Sequence, residues 1–397
     1  MTKYIFHIGT NLHLAFAEVV SVYGLKSIKG YQRDYLLVEL NFEFTQSHLD
    51  KLGSVIEVYQ VLSEPSYLDE NLIADDLSSH SFESKVLFGV SSNFLDGKHK
   101  LDVLKRVKKN VKFSCRFLES ITAASIKSGG ALNVKTFVYG FFEFLNVKYF
   151  ARLSAIQDID SYSRRDFGKP YRSAKLGMLP PKLSQVMLNL AGGKSVYDPF
   201  CGTGTILIEA ILAGKKAKGS DLQTVNIEGT KSNLQWLVDN FQYHFGGNPP
   251  KLNLEKNVFE ADATKMKSTY LTGVDCIVTE GFLGAPKRGT EYDKELESEI
   301  VELGELYYLF LKALAKVNSL AGFTVVLTLP VFKGSKPKDP KNFFIENLVE
   351  KLPALGYSVS ALVPSNDFGI KAKESVLYKR NDQKVFRQVY RLTHRGK

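Results

Sequence analysis

The hydrophobic and polar positions of this 397-residue chain change period several times, and each change marks an element. In the first 80 residues, period-two runs at 3–7, 35–40 and 55–61 alternate with helical runs at 14–23 and 45–52, which predicts a small α+β domain over 1–80. From residue 85 the pattern gives a strand at 86–90, a basic amphipathic helix at 101–111, a strand at 113–118 and a helix at 122–128. A hairpin follows, "KTFVYGFFEFL" and "KYFARLSAI", turning near Asn146. These elements predict a second α+β module over 81–163. Residues 164–181, rich in Arg, Lys, Gly and Pro, read as the connection to the next domain.

Beyond that connection the rhythm becomes regular. "PPKLSQVMLNLAG" predicts a helix opened by Pro180 and Pro181 and closed by Gly192 and Gly193. Strands are expected at 195–199, 216–220, 274–279 and 323–329, separated by helices at 205–212, 224–241, 293–317 and 343–355. Such alternation means right-handed βαβ crossovers: an α/β, doubly wound, mostly parallel sheet with helices on both faces, over 164–397. The runs at 357–363, 375–380 and 385–392 have no helices between them and predict an antiparallel edge. No repeat of 20 to 50 residues is present, so a solenoid is out.

Charge changes the picture in the middle of the chain. The formal +10 divides into −7 over 1–97, +12 over 98–182 and +5 over 183–397. A positive face this concentrated gains counterion-release affinity for a polyanion such as RNA. The bases lie in "HKLDVLKRVKKNVKFSCR" and "YSRRDFGKPYRSAK", interleaved with Phe113, Phe117, Tyr162, Phe167 and Tyr171, rings that can stack on unpaired nucleotides. Lys105, Arg106, Lys108, Lys109, Arg164, Arg165, Lys169 and Arg172 are therefore the candidate RNA contacts.

Other classes are disfavoured. The amino terminus lacks a basic region followed by an apolar core, and no run approaches the ~18 apolar residues of a membrane span, so a cytoplasmic protein without a membrane segment is expected. Cys115, Cys201 and Cys276 form no CxxC pair and the seven histidines no HExxH spacing; neither disulfides nor a structural metal is expected.

The most informative stretch is "VYDPFCGTGTILIEAILAG" (196–214), which passes from a strand through a glycine turn into a helix. In doubly wound sheets ligands bind at the carboxyl ends of the strands near the switch point, so residues 200–205 face a site. Gly202 and Gly204 let the backbone bend sharply and approach a ligand, and free N–H groups at the helix start favour a carboxylate or phosphate. Asp221 ends the next strand nineteen residues after Gly202, where a carboxylate can accept both hydroxyls of a ribose. A nucleotide-like ligand is implied. A dinucleotide fingerprint would require a small residue where Leu207 stands, which disfavours a nicotinamide cofactor.

"DPFCGTGTILIEA", with "GSDL" after the next strand and "EADATKM" after the third, resembles the S-adenosylmethionine site of class I amino-methyltransferases. Upstream, "RRDFGKPYRSAKLGMLPPKLSQVMLNLAG" and the basic module resemble the THUMP-containing tRNA guanine-N2 methyltransferases, a likeness that extends to the late "VLYKRNDQKVFRQV". The resemblance implies a Rossmann-like methyltransferase domain preceded by a ferredoxin-like domain and a THUMP-like RNA-binding domain. It implies that Gly202, Gly204 and Thr205 hold the methionine moiety of S-adenosyl-L-methionine and that Asp198 sits beside its amine. By the same resemblance Asp221 binds the ribose and Asp262 the adenine amino group, although as residues alone they also read as a helix cap and a turn carboxylate. The substrate it implies is tRNA, and some relatives need a small activating partner subunit.

The family's catalytic tetrad reads Asp/Asn-Pro-Pro-Tyr/Phe, whereas this chain has Thr279-Glu280-Gly281-Phe282-Leu283-Gly284 in its place. The exocyclic amine of a base attacks a methyl group poorly, because its lone pair is delocalised into the ring. An acceptor on its N–H groups and a ring stacked on the base help, together with in-line placement. Glu280 offers the oxygen and Phe282 the stacking face. Gly281 is the departure, since glycine leaves the loop costlier to order than proline would. Two alternatives stand beside an RNA guanine-N2 methyltransferase. One is a DNA adenine-N6 or cytosine-N4 methyltransferase, and the other a catalytically degenerate protein that binds S-adenosylmethionine and RNA. Cys201 and Cys276 read as small apolar fillers.

Overall fold

The computed structural model describes the chain except residues 10, 83–84, 120, 122–124, 127–134, 173–177, 318–321, 335–341, 346, 381–382 and 396–397. The expected helix at 122–128 lies largely outside the described residues, as does part of the connection at 164–181. The chain divides into two units, residues 1–15 with 23–161 and residues 16–22 with 162–397.

The first unit is built on one eight-stranded sheet of order β2-β3-β1-β4-β8-β7-β5-β6. Its strands are β1 (Thr2–Ile8), β2 (Ile28–Gln32), β3 (Tyr35–Leu40), β4 (Val55–Ser63), β5 (Val86–Ser92), β6 (Cys115–Leu118), β7 (Thr136–Phe144) and β8 (Val147–Ile156). The modules expected at 1–80 and 81–163 share this sheet, because β4 pairs antiparallel with β8. Leu145 and Asn146 both adopt positive φ, which matches the twist a two-residue β7–β8 hairpin needs. The basic helix Gly97–Asn110 is capped by Asp96, whose carboxylate accepts from the His99 amide, and it buries Val103, Leu104 and Val107. Lys105, Arg106, Lys108 and Lys109 occupy its exposed face. Two elements have no counterpart in the sequence expectations: β2, and the helix Asn71–Ser78.

The second unit carries a nine-stranded sheet whose main path is β11-β10-β9-β12-β13-β17-β15. These are β9 (Ser195–Asp198), β10 (Lys216–Asp221), β11 (Val258–Glu260), β12 (Cys276–Glu280), β13 (Thr324–Lys333), β14 (Asn342–Phe343), β15 (Tyr357–Ser360), β16 (Ser375–Tyr378) and β17 (Val385–His394). β9 to β13 run parallel, and the antiparallel β17 forms the expected edge with β15 and β16. The chain winds outward from β9 through β10 to β11, then returns to β12 on the other side of β9. That reversal opens a crevice at the strand ends.

Helices cover the sheet. Thr205–Leu212 is buried along its whole length and packs with Leu234, Leu237 and Phe241 of the following helix region and with Val258. Asp293–Ala315 sets Tyr307, Phe310, Leu311 and Leu314 against Ile277, Val325 and Leu327. The helix expected at 343–355 breaks up into the short strand β14, a single turn Leu348–Lys351 and a 3-10 turn Pro353–Leu355. Pro353 cannot continue a helical ladder. A helix at Ile159–Phe167 occupies part of what the composition presented as connection. Among the described residues no helix is long and apolar enough to cross a membrane.

Candidate active site

The carboxyl ends of β9 to β12 open on a cavity of about 300 Å³ in the second unit. Four acids line it: Asp198 from β9, Asp221 from β10, Asp262 after β11 and Glu280 from β12. Gly202, Thr205 and Phe282 line it as well, so the structure brings together nearly all of the cofactor-binding and catalytic residues expected from the sequence. Gly204 stands one step behind as the N-cap of the helix at Thr205.

The glycine loop has a specific reason for its composition. Gly202 and Gly204 sit at φ +53° and +77°, a left-handed backbone that side chains disfavour. At Gly204 space is closed too, because a Cβ would come within 2.8 Å of Thr230 Cγ2. Thr230 donates to the Gly202 carbonyl at 2.8 Å and so fixes the loop from below.

Each acid is held differently. Asp198 is 2% exposed and accepts from the Thr279 hydroxyl at 2.7 Å and the Phe200 amide at 3.1 Å. Burial pushes its carboxyl up to about 8 against these two hydrogen bonds, with Asp221 and Glu280 adding to the rise. Asp221 is aimed by three donors: the Gly202 amide at 3.0 Å, the Gln223 amide at 3.0 Å and Asn226 Nδ2 at 2.9 Å. Asp262 caps its own 3-10 turn through the Thr264 amide and hydroxyl, and those bonds hold its carboxyl below the usual range. Its Oδ2 lies 3.1 Å from the exposed Lys265.

Glu280 has a partner that the sequence did not announce. Arg387 on β17, 3% exposed, donates from Nε to Glu280 Oε1, and its Nη2 lies 3.4 Å from the Met178 carbonyl. Burial raises the Glu280 carboxyl and Arg387 opposes the rise. Oε2 of Glu280 has no hydrogen-bond partner among the described residues. The signal for Arg387 was a charge inside the apolar alternation of a strand, which gives no hint of what it faces. Phe282, by contrast, is 47% exposed and is among the residues lining the cavity.

Gly281 also acquires a cause. The buried Tyr307 lies directly beneath it, so that a Cβ would collide with the phenol oxygen and come within 2.7 Å of Cζ. The same hydroxyl donates to the Phe282 carbonyl at 3.1 Å. Further along, Glu299 accepts from the Ala285 amide at 2.7 Å and pairs with Lys287 at 2.5 Å. The loop is therefore ordered by side chains of the helix Asp293–Ala315 rather than by a proline.

Two of the expected RNA contacts require correction. Arg165 is 5% exposed and forms a buried ion pair with Glu209 at 2.6 Å. Lys169 is 2% exposed and donates to Thr205 Oγ1 at 2.8 Å and Thr203 Oγ1 at 3.2 Å. Neither can meet a phosphate at the surface; a run of bases does not reveal which of them the fold turns inward. Arg164 and Arg172 are exposed, Arg164 lying over the Phe241 ring and bonding the Asn240 carbonyl. Cys201 and Cys276 are buried in apolar surroundings that raise both thiols.

The parallel sheet with its antiparallel edge, the glycine loop and the strand-end acids define a class I methyltransferase fold. Comparison with known proteins gives local matches: residues 169–281 match the model of a family described as RMKL-like, methyltransferase domain. The chain is 50% identical over 62 residues to the tRNA (guanine(10)-N2)-dimethyltransferase of Methanothermobacter thermautotrophicus, 15% of this chain and 18% of that one. It is 40% identical over 74 residues to the enzyme of the same name from Pyrococcus abyssi, 18% of this chain and 21% of that one. The matched stretches thus span about a fifth of the length of these curated relatives. Among solved structures, TrmN from Thermus thermophilus aligns over 99% of this chain and 100% of that one at 15% identity and a TM-score of 0.49.

Proposed function

We propose that the chain is an S-adenosylmethionine-dependent tRNA methyltransferase acting on the exocyclic N2 amine of a guanosine. The observation that carries this is the convergence of Glu280 and Phe282 on the cavity formed by the glycine loop, Asp198, Asp221 and Asp262. The matched stretches named for guanine-N2 dimethylation support the choice of base.

The cavity's own chemistry fits the donor. Asp198, Asp221 and Asp262 line a space closed below by a helix start, an arrangement suited to a cationic nucleoside with a carboxylate tail. S-adenosylmethionine supplies an electrophilic methyl group on a positively charged sulfur. Asp221 would hold the ribose hydroxyls, Asp262 the adenine amino group and Asp198 the ligand's ammonium, with Gly202, Gly204 and Thr205 along the methionine moiety. Glu280 Oε2 accepts an N–H of the guanine amine, localising its lone pair for attack, and later takes the proton released. Phe282 stacks on the base and holds its plane.

RNA recognition falls to the first unit in this proposal, through the THUMP-like module at 81–163 and the face carrying Lys105, Arg106, Lys108 and Lys109. Arg106 already pairs with Glu70 at 2.6 Å. Replacing all four by glutamine is expected to weaken tRNA binding and lower the salt-dependence slope by about three. An unchanged slope in filter binding would place the RNA face elsewhere.

The raised Asp198 carboxyl gives a pH test. Below about 8 the group is protonated and a bound ammonium must displace that proton, so donor affinity should fall on the acid side by up to about tenfold per pH unit. Calorimetry of the Asp198→Asn variant between pH 6 and 8 should show that limb flattened; a limb of native steepness would assign it to another group.

The direct experiment is incubation with labelled S-adenosylmethionine and bulk tRNA, followed by nucleoside analysis. N2-methylguanosine is the expected product. Label entering only DNA would support the rival amino-methyltransferase assignment, and donor binding without turnover would mark a degenerate site.

A further inference from the structure

We propose that Lys169 is a positioning residue whose buried charge selects the carboxylate end of the donor, acting through the hydroxyls of Thr203 and Thr205. This rests on the assignment of the cavity to S-adenosylmethionine.

The argument starts from an electrostatic oddity. Lys169 is 2% exposed and forms no ion pair among the described residues. Glu209, the buried carboxylate that acts on Lys169, is already paired with Arg165. Arg165, Lys169 and Glu209 together carry one net positive charge in the interior; the half-buried Asp166 and then Glu209 favour the Lys169 ammonium without an ion-pair contact, and Arg172 opposes it. Burial pulls the ammonium down to about 8, so it is still substantially charged near neutrality.

The charge also lies at the wrong end of a helix for stability. Thr205 opens the helix Thr205–Leu212, whose first-turn N–H groups carry partial positive charge, and its N-cap, Gly204, provides no side-chain acceptor. A cation beside a helix amino terminus is unfavourable unless an anion shares the place. Thr203 and Thr205 both line the cavity, and each hydroxyl that accepts from Lys169 can turn its own hydrogen toward a ligand. The acids Asp198, Asp221 and Asp262 line the same cavity. Its electrostatics therefore have two poles, and a zwitterionic amino acid tail matches both.

Lys169 is held there deliberately by the residues after it. Tyr171 donates its amide to Asn233 Oδ1 at 2.8 Å and its hydroxyl to Asn226 Oδ1 at 2.8 Å, while Asn233 Nδ2 bonds the carbonyls of both Tyr171 and Thr203 at 2.8 Å. The segment bearing Lys169 is thereby fastened to the same helix that orients Asp221.

Calorimetry with two probes tests this on the full chain. S-adenosylmethionine carries the amino acid tail; 5′-methylthioadenosine lacks it. In Lys169→Met, affinity for S-adenosylmethionine is expected to fall about tenfold or more while that for 5′-methylthioadenosine stays within about twofold. Lys169→Arg should keep most of the discrimination. Should Lys169→Met fail to fold, Thr205→Val, which removes the bridging hydroxyl and keeps the charge, must show the same selective loss. Equal loss for both probes, or none for either, would overturn the role given to Lys169. No binding of either probe by the native chain would instead remove the underlying cofactor assignment.

Discussion

A Glu280→Gln chain is expected to transfer methyl groups about 10²–10³-fold more slowly than the native protein while binding the methyl donor within about twofold. The reason lies in how Glu280 is shared. Oε1 accepts from the buried Arg387, Oε2 has no hydrogen-bond partner among the described residues, and Glu280 lines the cavity. A carboxylate has an acceptor for each neighbour; an amide has only one. If the glutamine oxygen stays on Arg387, its NH₂ meets the substrate amine donor to donor; if it turns round, the NH₂ meets the guanidinium. An asparagine can serve in the related tetrad, but here the arginine makes the negative charge necessary. Replacing Arg387 by methionine alone leaves a buried carboxylate uncompensated and should destabilise the fold by about 3–5 kcal/mol. The double variant Glu280→Gln/Arg387→Met frees the amide oxygen, and at least about tenfold of the lost rate should return relative to Glu280→Gln. Single-turnover kinetics on tRNA measure all three. A Glu280→Gln rate equal to native would remove Glu280 from the chemistry.

Placing a proline at 281, as in the tetrad that this loop resembles, should damage the protein rather than improve it. Any Cβ at that position collides with Tyr307, which is fully buried and packed in the apolar core. Overpacking of this kind costs about 1–3 kcal/mol, and the displaced phenol also loses its bond to the Phe282 carbonyl, so Phe282 loses its aim. We expect Gly281→Pro to unfold at lower urea and to lose methyl transfer. Tyr307→Leu combined with Gly281→Pro should recover stability by making room. A Gly281→Pro chain as stable and active as native would show that the loop does not rest on Tyr307.

The contrast at 281 explains what could be seen in the sequence and what could not. The doubly wound sheet was legible because period, glycine turn and strand-end acids are local signals, and 205–212 agrees residue for residue with the observed helix. Asp221 could be singled out for the same reason, as the last residue of its strand, whereas Asp198 and Asp262 were named through the resemblance of their motifs. Three-residue β11 is too short to show a period, although the acid after it was identified. Arg387 and Tyr307 were invisible because their importance lies in what they face, 107 residues away for Arg387 and 25 for the Tyr307 hydroxyl. Arg165 and Lys169 failed in the opposite sense. Their bases looked like part of a surface run, yet the helix and segment that bear them point inward to Glu209 and to Thr203 and Thr205.

The placement of Arg387 on β17 bears on how a ribosome makes this protein. Strand β12 emerges long before β17, and through that interval the Glu280 carboxylate has no guanidinium to receive it in the interior. Until β17 docks against β13, burying that acid is unfavourable, so the crevice should stay hydrated. Docking of that edge strand then gives β13 its antiparallel neighbour and the acid its guanidinium in one event.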